Sequence, residues 1–216
     1  MIQPAERLNN VQEYYFSRKL KEVARMNAEG KDIISLAIGS PDMPPSPETI
    51  EKLCEVAHDP DAHGYQPTSG TQELREAMAG YYKRWYGVDI DPRTEIQPLI
   101  GSKEGILHIT LAFCNPGDKV VVFSPFYENY GADAILSGAE PIYVPLKPPA
   151  FTFDANELEN AMKQPGTRAL ILCNPSNPCG KVFTREELEI IASLAHKYDT
   201  YVITDEVYEH IVYAPH

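Results

Sequence analysis

From residue 95 onward the chain keeps to one alternation, an apolar run followed by an amphipathic segment, and this restricts the fold more than any other feature. The runs are Ile96–Ile100, Lys119–Phe123, Pro141–Leu146, Arg168–Cys173 and Tyr201–Ile203; between them lie Lys103–Phe113, Tyr127–Leu136, Asn156–Met162 and Thr184–Tyr198. The runs are short, rich in β-branched residues and free of polar alternation, the pattern of strands buried on both faces. Strand and helix in turn, joined by short loops and without an internal repeat, predict βαβ units, right-handed crossovers and a mostly parallel sheet. The expected class is α/β.

The first third of the chain reads differently. Val11–Asn27 carries Val11, Tyr14, Tyr15, Phe16, Leu20, Val23 and Met26 among charges and predicts an amphipathic helix ended by Gly30. Ile33–Ile38 reads as a short extended piece leading into Gly39-Ser40-Pro41-Asp42-Met43-Pro44-Pro45, where three prolines and a glycine forbid regular structure. That segment is an arm crossing to the main body or a plain surface loop. The expected boundaries are therefore 1–45 for an N-terminal helix and arm and 46–216 for the main domain. Ser46-Pro47-Glu48-Thr49 suits a helix start with Ser46 as cap. Thr71–Tyr86 predicts a helix with Leu74, Ala77, Met78, Tyr81, Tyr82 and Trp85 on a core face, closed by Gly87.

Charge and cysteine usage exclude several classes of function. Nineteen Lys and Arg against thirty-one Asp and Glu leave a formal net charge of −12 on 216 residues, which argues against a nucleic-acid surface and against an anionic membrane. Cys54, Cys114, Cys173 and Cys179 have no C-x-x-C spacing and no paired histidine nearby, so neither a metal site nor a redox pair is expected. No apolar stretch has the length of a signal core or a bilayer span, and the expected compartment is the cytoplasm.

The candidate chemistry clusters where the runs end. Tyr201–Ile203 stops at Asp205 and Glu206, with Tyr208 three residues beyond Asp205. In open α/β sheets the carboxyl ends of strands are where ligands bind, so Asp205 reads either as an acid aimed at a cationic ligand or as a helix N-cap. Gly101-Ser102-Lys103-Glu104-Gly105 follows one run and opens a helix; free N–H groups, a hydroxyl and the helix dipole there suit a phosphate, and an ordinary Ser-capped helix is the alternative. The turn is neither G-x-G-x-x-G nor a Walker loop, which removes support for dinucleotides and nucleoside triphosphates. Tyr127, in Ser124-Pro125-Phe126-Tyr127, can stack on a flat ligand or simply pack. Asn174-Pro175-Ser176-Asn177-Pro178-Cys179-Gly180 fixes a rigid turn whose asparagines either donate to a ligand or satisfy their own backbone.

Taken as a series, Ile38-Gly39-Ser40-Pro41-Asp42, Tyr65 before Gly70, Gly101-Ser102-Lys103-Glu104, Pro125-x-Tyr127, Asn174-Pro175-x-Asn177-Pro178-x-Gly180 and Asp205-Glu206-x-Tyr208 resemble the class I/II aminotransferases, pyridoxal-phosphate enzymes of fold type I. The resemblance spans nearly the whole chain. It implies a three-layer, doubly wound, mostly parallel large domain with an N-terminal arm belonging to a small domain, and pyridoxal 5'-phosphate as cofactor. It implies that Asp205 pairs with the pyridine nitrogen, that Asn177 and Tyr208 bond the phenolic oxygen, that Tyr127 stacks on the ring, and that Ser102 with Lys103 and Glu104 holds the phosphate. Tyr65 would reach the phosphate of a neighbouring subunit's cofactor, implying a homodimer, and Gly39 would lie near the substrate carboxylate.

The family's Schiff-base lysine and its two later arginines have no match here. Lys181 and Lys197 stand beside the turn and on a helix, and Lys103 belongs to the phosphate turn. The sequence is therefore expected to be the N-terminal portion of a longer enzyme, inactive alone. Cys179 stands where the family often has threonine. The implied reaction is transamination between an amino acid and a 2-oxo acid. A pyridoxal-phosphate β-lyase and a non-catalytic ligand-binding or regulatory module are the alternatives.

Overall fold

The computed structural model describes residues 3–39 and 42–213. Two compact units divide the chain: Met1–Glu22 with Gly101–His216, and Val23–Ile100. Helix α1 (Tyr15–Ala28) runs through the first boundary.

In the Val23–Ile100 unit, α2 (Pro47–Ala57) begins as the sequence indicates. Ser46 accepts from the Thr49 N–H, and Pro47 takes the first helical position, where no hydrogen-bond donor is required. Helix α3 (Gln72–Tyr86) is capped by Thr71, which accepts from the Leu74 N–H at 3.3 Å, and is closed by Gly87 at φ +69°. Its apolar stripe is not a buried core face. Leu74, Tyr82 and Trp85 are exposed and neither α2 nor α3 contributes a buried residue, because among the described residues of this unit no sheet is present to receive the stripe. The run Ile96–Ile100 also departs from its expected form: it joins no strand ladder, Ile100 is exposed, and Pro98 has no N–H to contribute to a ladder. Ile33–Ile38 is likewise unpaired, with Ile34 and Leu36 exposed.

The other unit carries the alternation. Helix α4 (Ser102–Phe113) leads to β1 (Lys119–Ser124), α5 (Asn129–Leu136), β2 (Glu140–Pro145), α6 (Ala155–Met162), β3 (Thr167–Cys173), α7 (Arg185–Tyr198) and β4 (Tyr201–Asp205). The sheet order is β2-β1-β3-β4 and every pairing is parallel. Both faces are covered. Val121, Phe123, Val144, Leu170 and Leu172 pack with Leu158 and Met162 of α6 and Ile191 of α7. Val120, Val122, Ala169, Ile171 and Ile203 pack with Ile106 of α4 and Tyr130 and Ala134 of α5. Burial on two sides explains the missing polar alternation in the central strands β1 and β3. Strands β2 and β4 stand at the sheet edges and expose Tyr143, Tyr201 and Val202, so the expectation of a fully buried Tyr201–Ile203 does not hold. Helix, sheet and helix make three layers. Local chemistry sets the helix starts: Asp154 accepts from the Asn156 N–H at 2.8 Å, and Thr184 with Glu187 forms a reciprocal capping box.

From β1 the chain moves to one side for β2 and to the other for β3 and β4. The strand order therefore reverses between β1 and β3, and a crevice opens at their carboxyl ends. Among the described residues no helix is long and apolar enough to cross a membrane.

Candidate active site

The crevice is edged by the segments that leave β1, β3 and β4 at their carboxyl ends. At the end of β4, Asp205 is 7% exposed. Its Oδ2 accepts from the Tyr130 hydroxyl at 2.8 Å, and its Oδ1 accepts from the Val207 N–H at 3.3 Å. A turn and no α-helix succeeds it, so Asp205 is not the cap of a helix. Burial pushes the Tyr130 phenol far above the tyrosine range, with its bond to Cys173 and the charge of Asp205 adding to the effect. The proton in the short bond thus belongs to Tyr130, and Asp205 is the acceptor. Among the described residues no Lys, Arg or His comes within 4.0 Å of the Asp205 carboxylate. A buried acid with two hydrogen-bond donors and no counter-cation is a site whose electrostatics favour a cationic group.

The turn after β3 separates the two asparagines by role. Asn174 satisfies backbone: its N–H donates to the Asp205 carbonyl at 3.0 Å and its Oδ1 accepts from the Phe183 N–H at 3.1 Å. Asn177 instead directs its Nδ2 to the Tyr208 hydroxyl at 3.4 Å. The turn closes on itself, since the Ser176 N–H donates to the Lys181 carbonyl and the Gly180 N–H to the Ser176 carbonyl, both at 2.8 Å. Gly180 sits at φ +68°, a conformation that costs glycine nothing.

Past β1, Tyr127 is half-buried and meets Tyr130 edge-on at 5.7 Å between centroids. Burial raises its phenol above the ordinary range, and nearby Tyr208 and Asp205 raise it further. On its other side Tyr14 lies edge-on at 6.5 Å, and Lys103 places its Nζ 5.7 Å from the Tyr14 ring centre. Lys103, Tyr14, Tyr127, Tyr130 and Asp205 thus form one run of contacts from the start of α4 to the end of β4. At α4 the cap is Gly101, with no side-chain hydrogen bond, and Ser102 is the first helical residue. The Ser-capped reading is displaced, and an N-terminus whose cap residue offers no side-chain hydrogen bond is suited to an anion. A cavity of about 560 Å³ adjoins this run and is lined by Tyr14, Lys103, Phe126, Glu128, Asp133 and Tyr143 among others. Asp205, Asn177 and Tyr208 do not line it, so this cavity is distinct from the acid's surroundings.

Tyr14 and Tyr130 escaped the sequence reading. Tyr130 carries a faint signal in its three-residue spacing from Tyr127; the position of Tyr14 depends on how the N-terminal segment returns to the sheet, which no local pattern reveals. Tyr65, almost wholly exposed, and Gly39, with nothing within 4 Å of an added Cβ, belong to the Val23–Ile100 unit. Ser40 and Pro41 of the Gly39 motif lie outside the described residues. Among the described residues no group of three or more His, Cys, Asp or Glu is gathered as metal ligands would be.

The donor set fits pyridoxal phosphate by its own chemistry: an acid without a cation, two side-chain groups gathered at Asn177 and Tyr208, a half-buried aromatic face and an uncapped helix start. The family model for aminotransferases of class I and II matches residues 31–216. The chain is 38% identical over 213 residues to the LL-diaminopimelate aminotransferase of Moorella thermoacetica, covering 98% of this chain and 54% of that protein. It is 39% identical over 211 residues to the glutamate-pyruvate aminotransferase AlaC of Escherichia coli, covering 96% and 50%. Among solved structures, N-succinyldiaminopimelate aminotransferase from Mycobacterium tuberculosis superposes with a TM-score of 0.89 at 33% identity, over 99% of this chain and 54% of that one. This chain thus spans about half the length of the relatives it matches. By sequence and by fold, the chain belongs to the class I and II aminotransferases.

Proposed function

We propose that the whole protein is a pyridoxal-phosphate-dependent aminotransferase, moving an amino group from an amino acid to a 2-oxo acid. The observation that carries this reading is the buried Asp205 carboxylate, held by Tyr130 and Val207 and lacking a cation among the described residues. When bound, the cofactor supplies an electron sink for the charge left as a proton leaves the substrate Cα.

In this reading Asp205 holds the ring nitrogen in its protonated form, because acid and cation each relieve the other's burial. Asn177 and Tyr208, already within 3.4 Å of each other, bond the phenolic oxygen. Tyr127 covers one ring face and keeps water from it. Ser102, with the N–H groups of Lys103 and Glu104, holds the phosphate at the start of α4, where the helix dipole favours an anion. Tyr65 serves the phosphate of a partner subunit in a homodimer, and Gly39 lies near the substrate carboxylate. Relatives named for LL-diaminopimelate, for glutamate and pyruvate, and for aromatic amino acids stand at similar identity, which supports the reaction class without selecting one amino acid.

The test is an assay of full-length protein for amino transfer that depends on added 2-oxo acid, with release of pyruvate and ammonia followed in parallel. Transfer that requires the oxo acid, and that falls by several orders of magnitude in Asp205→Ala, is expected. Release of ammonia without an acceptor would place the protein among the β-lyases, and binding of pyridoxal phosphate with neither reaction would make it a non-catalytic module.

A further inference from the structure

Lys181 has no part in the cofactor site, yet it is the most enclosed lysine side chain for which an ion pair is resolved. That side chain is 6% exposed, and its Nζ lies 2.9 Å from Glu187 Oε1, itself 15% exposed. The same Nζ stands 5.0 Å from the centre of the Phe183 ring, a cation over an aromatic face. An enclosed cation is costly unless its partners are fixed in place, and Glu187 is fixed. Its Oε2 accepts from the Thr184 N–H at 2.9 Å, and its own N–H donates to Thr184 Oγ1 at 3.2 Å. The anchor is therefore the capped first turn of α7.

The main chain of Lys181 faces the other way. Its carbonyl accepts from the Ser176 N–H, and the Ser176 carbonyl accepts from the Gly180 N–H, both at 2.8 Å. Asn177 lies inside this closed loop, between the residues that these two bonds join. On the far side Phe183 donates its N–H to Asn174 Oδ1, so the segment that leaves the turn is pinned at both ends. Among the described residues the side chain of Asn177 has one partner, the Tyr208 hydroxyl at 3.4 Å, which is too long to fix it. What fixes Asn177 is the backbone that carries it, and that backbone is moored through Lys181.

We propose that Lys181 and Glu187 form a positioning pair: the enclosed ion pair ties the Asn174–Gly180 turn to α7 and so sets where Asn177 meets the phenolic oxygen of the cofactor. The inference rests on the proposed pyridoxal-phosphate function and adds to it a determinant of how tightly the ring 3-hydroxyl is held. Neither residue touches the cofactor.

The double variant Lys181→Met/Glu187→Gln tests it. The variant leaves no lone buried charge, and Gln at the third helical position still supports the capping box, so folding is preserved. Two quantities are measured on the full-length protein. The first is amide hydrogen exchange at Ser176 and Gly180 without cofactor, expected to be about tenfold faster in the variant as local opening becomes easier. The second is the affinity ratio of pyridoxal phosphate to its analogue lacking the 3-hydroxyl, which is expected to fall about fivefold, the worth of one well-placed hydrogen bond. A merely structural pair would weaken both ligands alike and leave the ratio unchanged. An unchanged ratio overturns the proposal, as does a changed ratio with unchanged exchange, because the effect would then not pass through the turn. If the parent protein itself showed no preference for the 3-hydroxyl, the role of Asn177 would fail first; faster exchange in the variant would mark that as a failure of the functional reading, with the tether intact.

Discussion

Tyr130 on α5 donates its hydroxyl proton to Asp205 at the end of β4, a 2.8 Å bond between residues 75 positions apart and both nearly closed to solvent. The bond joins the helix layer to the sheet at the carboxylate on which the functional reading depends. Tyr130→Phe keeps the ring and its packing but deletes one of the two donors to a buried charge. Hydrogen bonds to charged groups are worth about 1.5–3 kcal/mol, and the variant is expected to lose that amount in urea denaturation. Affinity for pyridoxal phosphate, measured by cofactor fluorescence on full-length protein, should change by less than tenfold, because the ring nitrogen still meets the acid. A larger loss would mean that Tyr130 orients Asp205 and does more than stabilise it.

The asparagine pair of the turn separates stability from binding. Asn174 bonds backbone at both ends while the Asn177 side chain, among the described residues, reaches only Tyr208. Asn174→Ala strands the buried-side N–H of Phe183 and is expected to cost about 1–3 kcal/mol of stability. Asn177→Ala should leave the denaturation midpoint within about 0.5 kcal/mol of the parent, as surface substitutions do, and should instead weaken cofactor binding. Equal losses of stability in the two variants would contradict the division.

The parts of this molecule that announce themselves in sequence are those set by neighbours in the chain. Ser46, Thr71 and Thr184 sit where caps belong, Gly87 closes its helix, and the four strands from Lys119 onward lie within a residue or two of their apolar runs. What escaped depends on partners far away in sequence. Ile96–Ile100 has the composition of a strand but no ladder neighbour among the described residues, and Pro98 interrupts its donors. The face of α3 has helical spacing, yet spacing says which residues share a side and nothing of what covers it. In the candidate site, the positions of Asp205, Asn177, Tyr208 and Tyr127 are legible because each stands at or just past a strand end or in a fixed turn. Tyr130 and Tyr14 are not, since their roles appear only once α5 and the N-terminal segment are laid against the sheet.

Lys103, Lys181 and Lys197 are engaged, and this bears on covalent trapping. Lys181 pairs with Glu187; Lys197 pairs with Glu159 at 2.6 Å, and its bonds to Glu159 and Tyr198 raise its pKa above the ordinary lysine range. Lys103 lies over the Tyr14 ring. Attack on an aldehyde requires a neutral amine, and in Lys197 the bonds to Glu159 and Tyr198 favour the ammonium form. Borohydride reduction of these 216 residues mixed with pyridoxal phosphate is expected to give no stoichiometric adduct at a single lysine by peptide mass spectrometry. A single-site adduct would show that one of these lysines can leave its partner and serve as the tether.

Asp133 on α5 gives the chain a pH-dependent weakness. It is 4% exposed, its Oδ2 has no hydrogen-bond partner, and burial pushes its pKa from 3.8 up to about 6, with Lys103 pulling the other way. A carboxyl group whose pKa is higher folded than unfolded binds more protons in the native state across the interval between the two values. Stability therefore falls as pH rises from about 4 to about 6 and stays at the lower level above that. The shift corresponds to about 2 kcal/mol once residual screening is allowed for. Asp133→Asn removes the ionisation while keeping the shape. The variant should be more stable than the parent by about 1–2 kcal/mol at pH 8, and the two should converge near pH 4. Thermal unfolding at several pH values checks this, with a gain of about 2–4 °C expected at pH 8 for a chain of this size. A variant less stable than the parent at pH 8 would mean that the ionised carboxylate has a stabilising partner in solution, and that burial is not what governs its proton.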